Sequence, residues 1–191
     1  MLRQPLEDGK VQISRVSGTV VYPSQFMLVC AMNPCKCGWY GYDNSRCRCS
    51  EREVERYLSR LSGPLLDRID LQVDVPALSF QELSQRTPGE SSARIKERVT
   101  AARTLQQQRF QGSGVDCNAH MGQPELRQFC ALEEGASKMM NQAYQKLGLT
   151  ARSYDRILRV ARTIADLAGA EQLSPVHLAE AISYRTSRYL R

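Results

Sequence analysis

The stretch LTARSYDRILRVARTIADLAG, residues 149–169, decides the fold of the second half of the chain. Its apolar side chains recur at helical spacing, Thr150 is a residue type that caps helix N-termini, and Gly169 is a residue type that ends helices. We therefore predict one long amphipathic helix from Thr150 to about Leu167. The side chains predicted on its apolar face are Ile157, Val160, Ala161, Ile164 and Ala168.

From Ser92 onward, the sequence on both sides of this stretch has only helical patterns. A first helix has apolar side chains at a period of about 3.6 residues and ends at the Gly-Ser-Gly of residues 112–114. Shorter helices are predicted at 124–130 and 133–147, and Ser174-Pro175 begins a last helix that runs to about Tyr189. The apolar positions of the first helix are Ile95, Val99, Ala102 and Leu105. Residues 92–191 are therefore predicted to form an all-α bundle.

The first 78 residues have a mixed α/β pattern instead. A helix end at residues 2–7 precedes two β-rich segments around Ser17-Gly18, which predict a hairpin. The apolar run at 26–31 is typical of a strand buried on both faces of a parallel sheet, and 69–75 alternates like a strand with one wet face. Because one such strand cannot form a sheet, we expect its neighbours to lie outside this chain. Residues 79–91 are predicted to be a linker.

Composition limits the class of protein. The chain has 191 residues, a net charge of +6 and a pI near 9.0, which suit one or two globular domains and permit an anionic partner. The apolar runs are too short to span a bilayer, and the N-terminus does not resemble a signal peptide. Seven cysteines without a secretion signal favour free or metal-bound thiols in a reducing cytoplasm.

Four of the cysteines form two C-x-C pairs separated by nine residues. Four thiolates in one short loop suit tetrahedral zinc, although C-x-C is tighter than the usual C-x2-C knuckle. The alternative is a loop of reduced cysteines without a metal. The four candidate ligands are Cys35, Cys37, Cys47 and Cys49. The other three, Cys30, Cys117 and Cys130, are interpreted as packing residues.

Several polar and basic residues are candidates for contact with an anion. Asn33 follows the apolar run and could orient a water or a phosphate, or form an Asx turn before Pro34. Arg68 follows a tight turn and could reach an anion on a neighbouring molecule, or pair with Asp67 or Asp70.

Basic residues also recur along predicted elements. Arg152, Arg156 and Arg159 form a stripe on the long helix, which is either a phosphate-binding face or a solvated one. Lys10 and Arg15 bracket the first hairpin strand and, like the basic run at 94–109, could contact nucleic-acid phosphates.

Three motifs occur in a recognisable order. They are LRQPLEDGKV at residues 2–11, AMNPC at 31–35 and LSGPLLDRID at 61–70. Together with residues 149–167, they resemble the magnesium-chelatase-like AAA+ ATPases, and the cysteine loop most resembles the ComM (YifB-type) competence branch. The resemblance implies an α/β remnant of an AAA+ core followed by an all-α lid.

The resemblance also implies roles for individual residues. Asn33 would be sensor 1, Arg68 the arginine finger that reaches the adjacent subunit, and Arg152 sensor 2. Arg156, on the same stripe as Arg152, is predicted as a further nucleotide contact. The hairpin carrying Lys10 and Arg15 would project toward DNA. The implied activity is that of a hexameric, ATP-driven helicase that promotes branch migration during recombination of incoming DNA.

The sequence departs from this family in one large respect. No G-x-x-x-x-G-K-[ST] motif and no apolar strand ending in Asp-Glu occur in the 191 residues. We therefore expect the C-terminal part of such a protein, which uses ATP and magnesium only in the full-length context and is inactive alone. The alternatives are a motor subunit of a metal-chelatase-type complex that remodels a protein, and a nonenzymatic zinc-bearing adaptor.

Overall fold

In a computed structural model of the protein, residues 3–43, 45–84 and 89–186 are described. They divide into two compact units, one up to Ile69 and one from Asp70 onward. The first unit contains helix α1, strands β1 and β2 and helices α2 and α3, at Arg3–Asp8, Lys10–Arg15, Gly18–Pro23, Glu51–Leu58 and Gly63–Leu66. The second unit contains helices α4 to α9, at Phe80–Ser84, Ser92–Arg109, Gln123–Phe129, Glu134–Leu147, Ala151–Leu167 and Pro175–Ser183, and a 3-10 turn at Asn118–His120.

The predicted hairpin is confirmed. Strands β1 and β2 pair antiparallel, with Lys10 opposite Pro23 and Arg15 opposite Gly18, so the turn has only two residues. Gly18 has a φ of +142°, a backbone conformation that side chains disfavour, which explains the glycine at this position. Almost every residue of the hairpin is exposed, so the ribbon stands out from the rest of its unit.

The two other predicted strands are absent from the described residues. Residues 26–31 and 69–75 are irregular, and no described residue adds a further strand to the sheet formed by β1 and β2. Met27 and Val29 are 87% and 79% exposed, and Cys30, which we predicted to be a packing residue, is exposed as well. The cause is physical: a strand needs hydrogen-bonding neighbours, and the described residues supply none for these runs. The observed fold is mostly helical, with one small antiparallel sheet.

The helical bundle of the second unit is confirmed, and α8 forms its centre. The backbone N–H of Ser153 donates to Thr150 Oγ1 at 3.2 Å, which is the predicted cap. Ile157, Ala161 and Ala165 of α8 are completely buried. Helix α8 packs against α5, α6 and α9. Ala168, predicted on the apolar face, is exposed because it lies beyond the last turn of α8.

Helix α5 differs from its prediction in which side chains it buries. Ala102 is buried as expected, but Ile95, Val99 and Leu105 are 40% or more exposed, and the polar Gln106 is buried instead. Only the C-terminal half of α5 packs on the bundle, so the apolar spacing located the helix correctly without indicating how far the contact extends. The predicted linker contains α4, although residues 85–88 lie outside the described part. Among the described helices, none is long and apolar enough to cross a membrane.

Candidate functional site

The four cysteines of the two C-x-C pairs come together in one cluster. The sulfur of Cys35 lies 3.3 Å from that of Cys37 and 3.9 Å from that of Cys47. The sulfur of Cys37 lies 3.6 Å from those of Cys47 and Cys49. A regular tetrahedron with zinc–sulfur bonds of about 2.3 Å has sulfur–sulfur edges of about 3.8 Å. The cluster therefore has the donor set and the spacing of a tetrahedral zinc site.

Backbone amides of the same loop hydrogen-bond to these sulfurs. The N–H groups of Trp39 and Arg48 donate to Cys37 and lower the pKa of its thiol to about 6. The N–H of Cys49 favours the thiolate of Cys47, but burial and the neighbouring sulfurs outweigh it and raise the pKa of Cys47 to about 11. Backbone hydrogen bonds also outweigh burial at Cys35 and lower the pKa of its thiol, whereas burial and the neighbouring sulfurs raise the pKa of Cys49. Two of the four thiols are thus favoured as thiolates, and the other two need a cation to lose their protons.

Gly38 allows the loop to fold tightly around the sulfurs. Its φ is +83°, and a Cβ at this position would lie 3.7 Å from the side-chain nitrogen of Asn33. The exposed Asn33 is therefore placed at the base of the cysteine loop, and its role as sensor 1 stays a prediction.

Arg68 is held inside its unit by a partner that the local sequence did not indicate. Its guanidinium forms an ion pair with Glu7 of α1, and Nη1 donates to the carbonyl of Pro64 at 2.5 Å. The side chain is only 9% exposed. The local sequence indicates Asp67 or Asp70 as a partner, whereas Glu7 lies 61 positions earlier in the chain. No local sequence signal identifies such a long-range pair.

The three arginines of the predicted stripe have different surroundings. Arg152 is exposed in the first turn of α8, and Arg156 forms an ion pair with Asp70. Arg159 donates from two nitrogens to the carbonyl of Met121, at 3.0 and 2.7 Å, and burial lowers its pKa. Arg159 therefore helps to hold the bundle together, whereas Arg152 and Arg156 remain the predicted nucleotide contacts.

The two basic residues of the hairpin are exposed at opposite ends of β1. They are separated by five positions, an odd number, so strand alternation places Lys10 and Arg15 on opposite faces of the ribbon. Only Arg15 lies beside the turn. A single flat DNA surface therefore cannot contact both side chains equally.

A buried polar network in the second unit is not among the predictions made from the sequence. Asp166 of α8 accepts two hydrogen bonds from Arg109, at 2.8 and 2.5 Å, and one from Asn118 at 2.7 Å. Arg162, which is 2% exposed, donates to Asp166 at 3.1 Å and to the carbonyls of Ala170 and Glu171. The spacing of Arg162 and Asp166 at i and i+4 was the available signal. Arg109, part of the basic run considered for DNA, is occupied in this network.

Comparison with known proteins gives a consistent result for both units. Residues 89–185 match the family described as magnesium chelatase, subunit ChlI C-terminal, and residues 1–83 match magnesium chelatase, subunit ChlI. The chain is 43% identical over 187 residues to competence protein ComM of Haemophilus influenzae and 43% identical over 185 residues to protein YifB of Escherichia coli. These alignments cover 96% of this chain and 35% of each relative, so the chain spans about a third of their length.

The two matched ranges are separated only by residues 84–88, inside the predicted linker, and together they cover most of both units that the structure shows. The predicted resemblance, made on three motifs, is thereby confirmed over nearly the whole chain. The protein belongs to the magnesium chelatase ChlI family, within which it is similar to ComM and YifB.

Proposed function

We propose that the chain is the C-terminal portion of a hexameric, ATP-driven DNA helicase that acts in natural transformation and recombination. The observation that carries this proposal is the 43% identity to competence protein ComM across 96% of the chain. In this proposal the irregular apolar run at residues 26–31 is the remnant of a core strand, and its exposed side chains are covered by neighbouring strands in the full-length protein.

The residues carried over from the family suit phosphate. Arg68, Arg152 and Arg156 offer guanidinium groups, which bind phosphate oxygens in a planar, two-point geometry, and Asn33 offers an amide that can orient a water. Guanidinium groups stabilise the charge that develops on a transferring phosphoryl group. The same set does not suit magnesium, which takes oxygen ligands, because only Asn33 supplies one. The ion would therefore need ligands other than these four residues.

DNA contact in this proposal comes from the exposed hairpin. Its two basic residues, Lys10 and Arg15, would neutralise backbone phosphates, which makes binding sensitive to salt. Support comes from the exposure of the ribbon and from the net charge of +6.

Zinc is the metal that we propose for the cysteine loop. Cys35, Cys37, Cys47 and Cys49 would hold it, and the donor set supports zinc because four thiolates without an open position are typical of structural sites. The ion would tie the two ends of the loop together and take no part in the chemistry of ATP.

The test of the ATPase role is Arg68→Ala in the full-length protein. We expect turnover to fall roughly 10³-fold with nucleotide binding largely retained, because an arginine finger acts on the transition state. Mixing the variant with wild-type protein should reduce turnover more than in proportion, since the group serves the neighbouring subunit. The readout is steady-state phosphate release together with binding of a fluorescent nucleotide.

Glu7→Gln is the matched control, because it breaks the ion pair and keeps Arg68. If Arg68 is catalytic, Glu7→Gln should retain turnover. If the ion pair is only structural, Arg68→Ala and Glu7→Gln should lose turnover equally. Wild-type turnover in Arg68→Ala would overturn the assignment. If the full-length protein hydrolyses ATP but does not bind DNA and is not stimulated by it, the chelatase-type motor that remodels a protein would be favoured.

A further inference from the structure

The cysteine loop presents an aromatic side chain whose purpose the metal does not explain. Trp39, the only tryptophan of the chain, lies in the loop between Cys37 and Cys47 and is 37% exposed. The guanidinium of Arg46 lies over its ring at 4.9 Å from the centroid. The exposed part of this ring, with a cation beside it, is a surface on which another flat group can stack.

The backbone of Trp39 is held on both sides. Its N–H donates to the sulfur of Cys37, and its carbonyl accepts from the N–H groups of Tyr42 and Asp43 at 3.1 and 3.0 Å. The N–H of Arg48 also donates to Cys37. The groups that organise the sulfurs therefore also fix the positions of an aromatic ring and a cationic side chain, so a metal at the sulfurs would make this surface rigid.

The charge of the cysteine loop is mostly positive. Lys36, Arg46 and Arg48 are exposed, and one acidic side chain, Asp43, lies among the described residues between Cys35 and Cys49. Asp43 is engaged by the Ser45 hydroxyl at 2.5 Å and by Arg46 at 3.2 Å, which holds the Arg46 guanidinium near the ring. Three exposed cations and a partly exposed tryptophan on one short loop are complementary to a strand of phosphates whose bases are free to stack.

We propose that the cysteine loop binds single-stranded DNA, with a base stacked on Trp39 and phosphates on Lys36, Arg46 and Arg48. This inference rests on the proposed DNA function and adds a second contact to that of the hairpin. Single-stranded nucleic acid fits better than duplex, because the bases of a duplex are already stacked on each other. It fits better than an acidic peptide, because a peptide gains nothing specific from a flat ring.

The test uses the zinc-loaded chain and a thymidylate oligonucleotide, with Trp39 fluorescence as the readout. We expect the oligonucleotide to quench the fluorescence, with an affinity that falls steeply as salt is raised. Trp39→Ala, followed by anisotropy of a labelled oligonucleotide, should weaken binding about tenfold, the size of one lost base stack. Trp39→Phe should retain most of the affinity because it keeps an aromatic face. Arg46→Ala with Arg48→Ala should weaken binding and flatten its salt dependence.

Arg60→Ala is the charge-matched control, since it removes an exposed arginine from the same unit outside the loop. It should leave affinity unchanged. Equal quenching by duplex DNA or by polyglutamate would overturn the stacking proposal. A different result would overturn the loop contact and leave the proposed function standing. In that case the oligonucleotide binds through Arg15, does not change Trp39 fluorescence, and binds Trp39→Ala with unchanged affinity. No binding of any DNA would overturn both.

Discussion

At the scale of single residues, the arginines of this chain divide by what their guanidinium groups contact. Arg109, Arg159 and Arg162 donate to buried acceptors within the bundle, whereas Arg46 and Arg152 are exposed. Sequence spacing treats all of them alike, because helical periodicity indicates a face and not the depth of burial. The structure is therefore needed to separate arginines that can serve a ligand from those that hold the fold.

Asp166 gives a direct test of this division. We expect Asp166→Ala to lower the free energy of unfolding by about 3–5 kcal/mol, since it leaves the buried Arg162 and the partly buried Arg109 without their carboxylate. The control is Glu134→Ala, which removes an i, i+4 pair with Lys138 on the surface and should have little effect. Denaturant unfolding measures both. Equal effects of the two variants would contradict a structural role for the network.

The same carboxylate predicts a dependence on pH. Burial would raise the pKa of Asp166, but hydrogen bonds from Arg109 and Asn118 outweigh it and hold the pKa below its usual range. A group with a lowered folded-state pKa stabilises the fold above its unfolded pKa, about 3.9, and loses this effect as pH falls through the folded value. The difference in free energy of unfolding between wild type and Asp166→Ala should therefore have its full size at neutral pH and disappear in acid below about pH 4. A gap that stays constant across this range would contradict the contribution of the ionised carboxylate.

At the scale of elements, the sequence predicted helices well and isolated strands poorly, for one physical reason. Helices form hydrogen bonds within themselves, so Thr150 and the spacing after it suffice to place α8. The hairpin was also predictable, because its partner strand is adjacent in the chain. The runs at 26–31 and 69–75 have strand-like composition, but their structure depends on partners that the described residues lack. The cysteine cluster was predictable from spacing, whereas the Glu7–Arg68 pair was not.

The hairpin itself yields a prediction about which of its basic residues contacts DNA. Arg15 lies beside the turn, and Lys10 lies at the base on the opposite face, about 17 Å away at about 3.3 Å per residue. If the hairpin contacts DNA with its tip, Arg15→Ala should lower the affinity for DNA severalfold. It should also reduce the slope of log affinity against log salt concentration by about one unit. Lys10→Ala should change affinity much less. Gln12→Ala, exposed on the same strand, controls for folding, and equal losses in the two basic variants would contradict contact through the tip.

At the scale of the whole molecule, the two units are stabilised by different means. The second unit has a continuous apolar core built around α8 and α9. The first unit has almost none: among its described residues, Cys35 and Val54 are the buried hydrophobic side chains. A unit with so little buried apolar surface needs another source of stability, and a structural metal is one such source in small folds.

Removal of the metal should therefore affect the two units unequally. We expect about one zinc per chain by elemental analysis, and a strong chelator should collapse the amide resonances of residues 3–69 while those of residues 89–185 persist. Cys37→Ser should release the metal and reproduce the effect. Cys30→Ser should not, because Cys30 is an exposed cysteine of the same unit outside the cluster. A chain that holds no zinc, or whose first unit keeps its resonances after chelation, would show that the four sulfurs meet without a metal and that the loop is stabilised by its backbone hydrogen bonds alone.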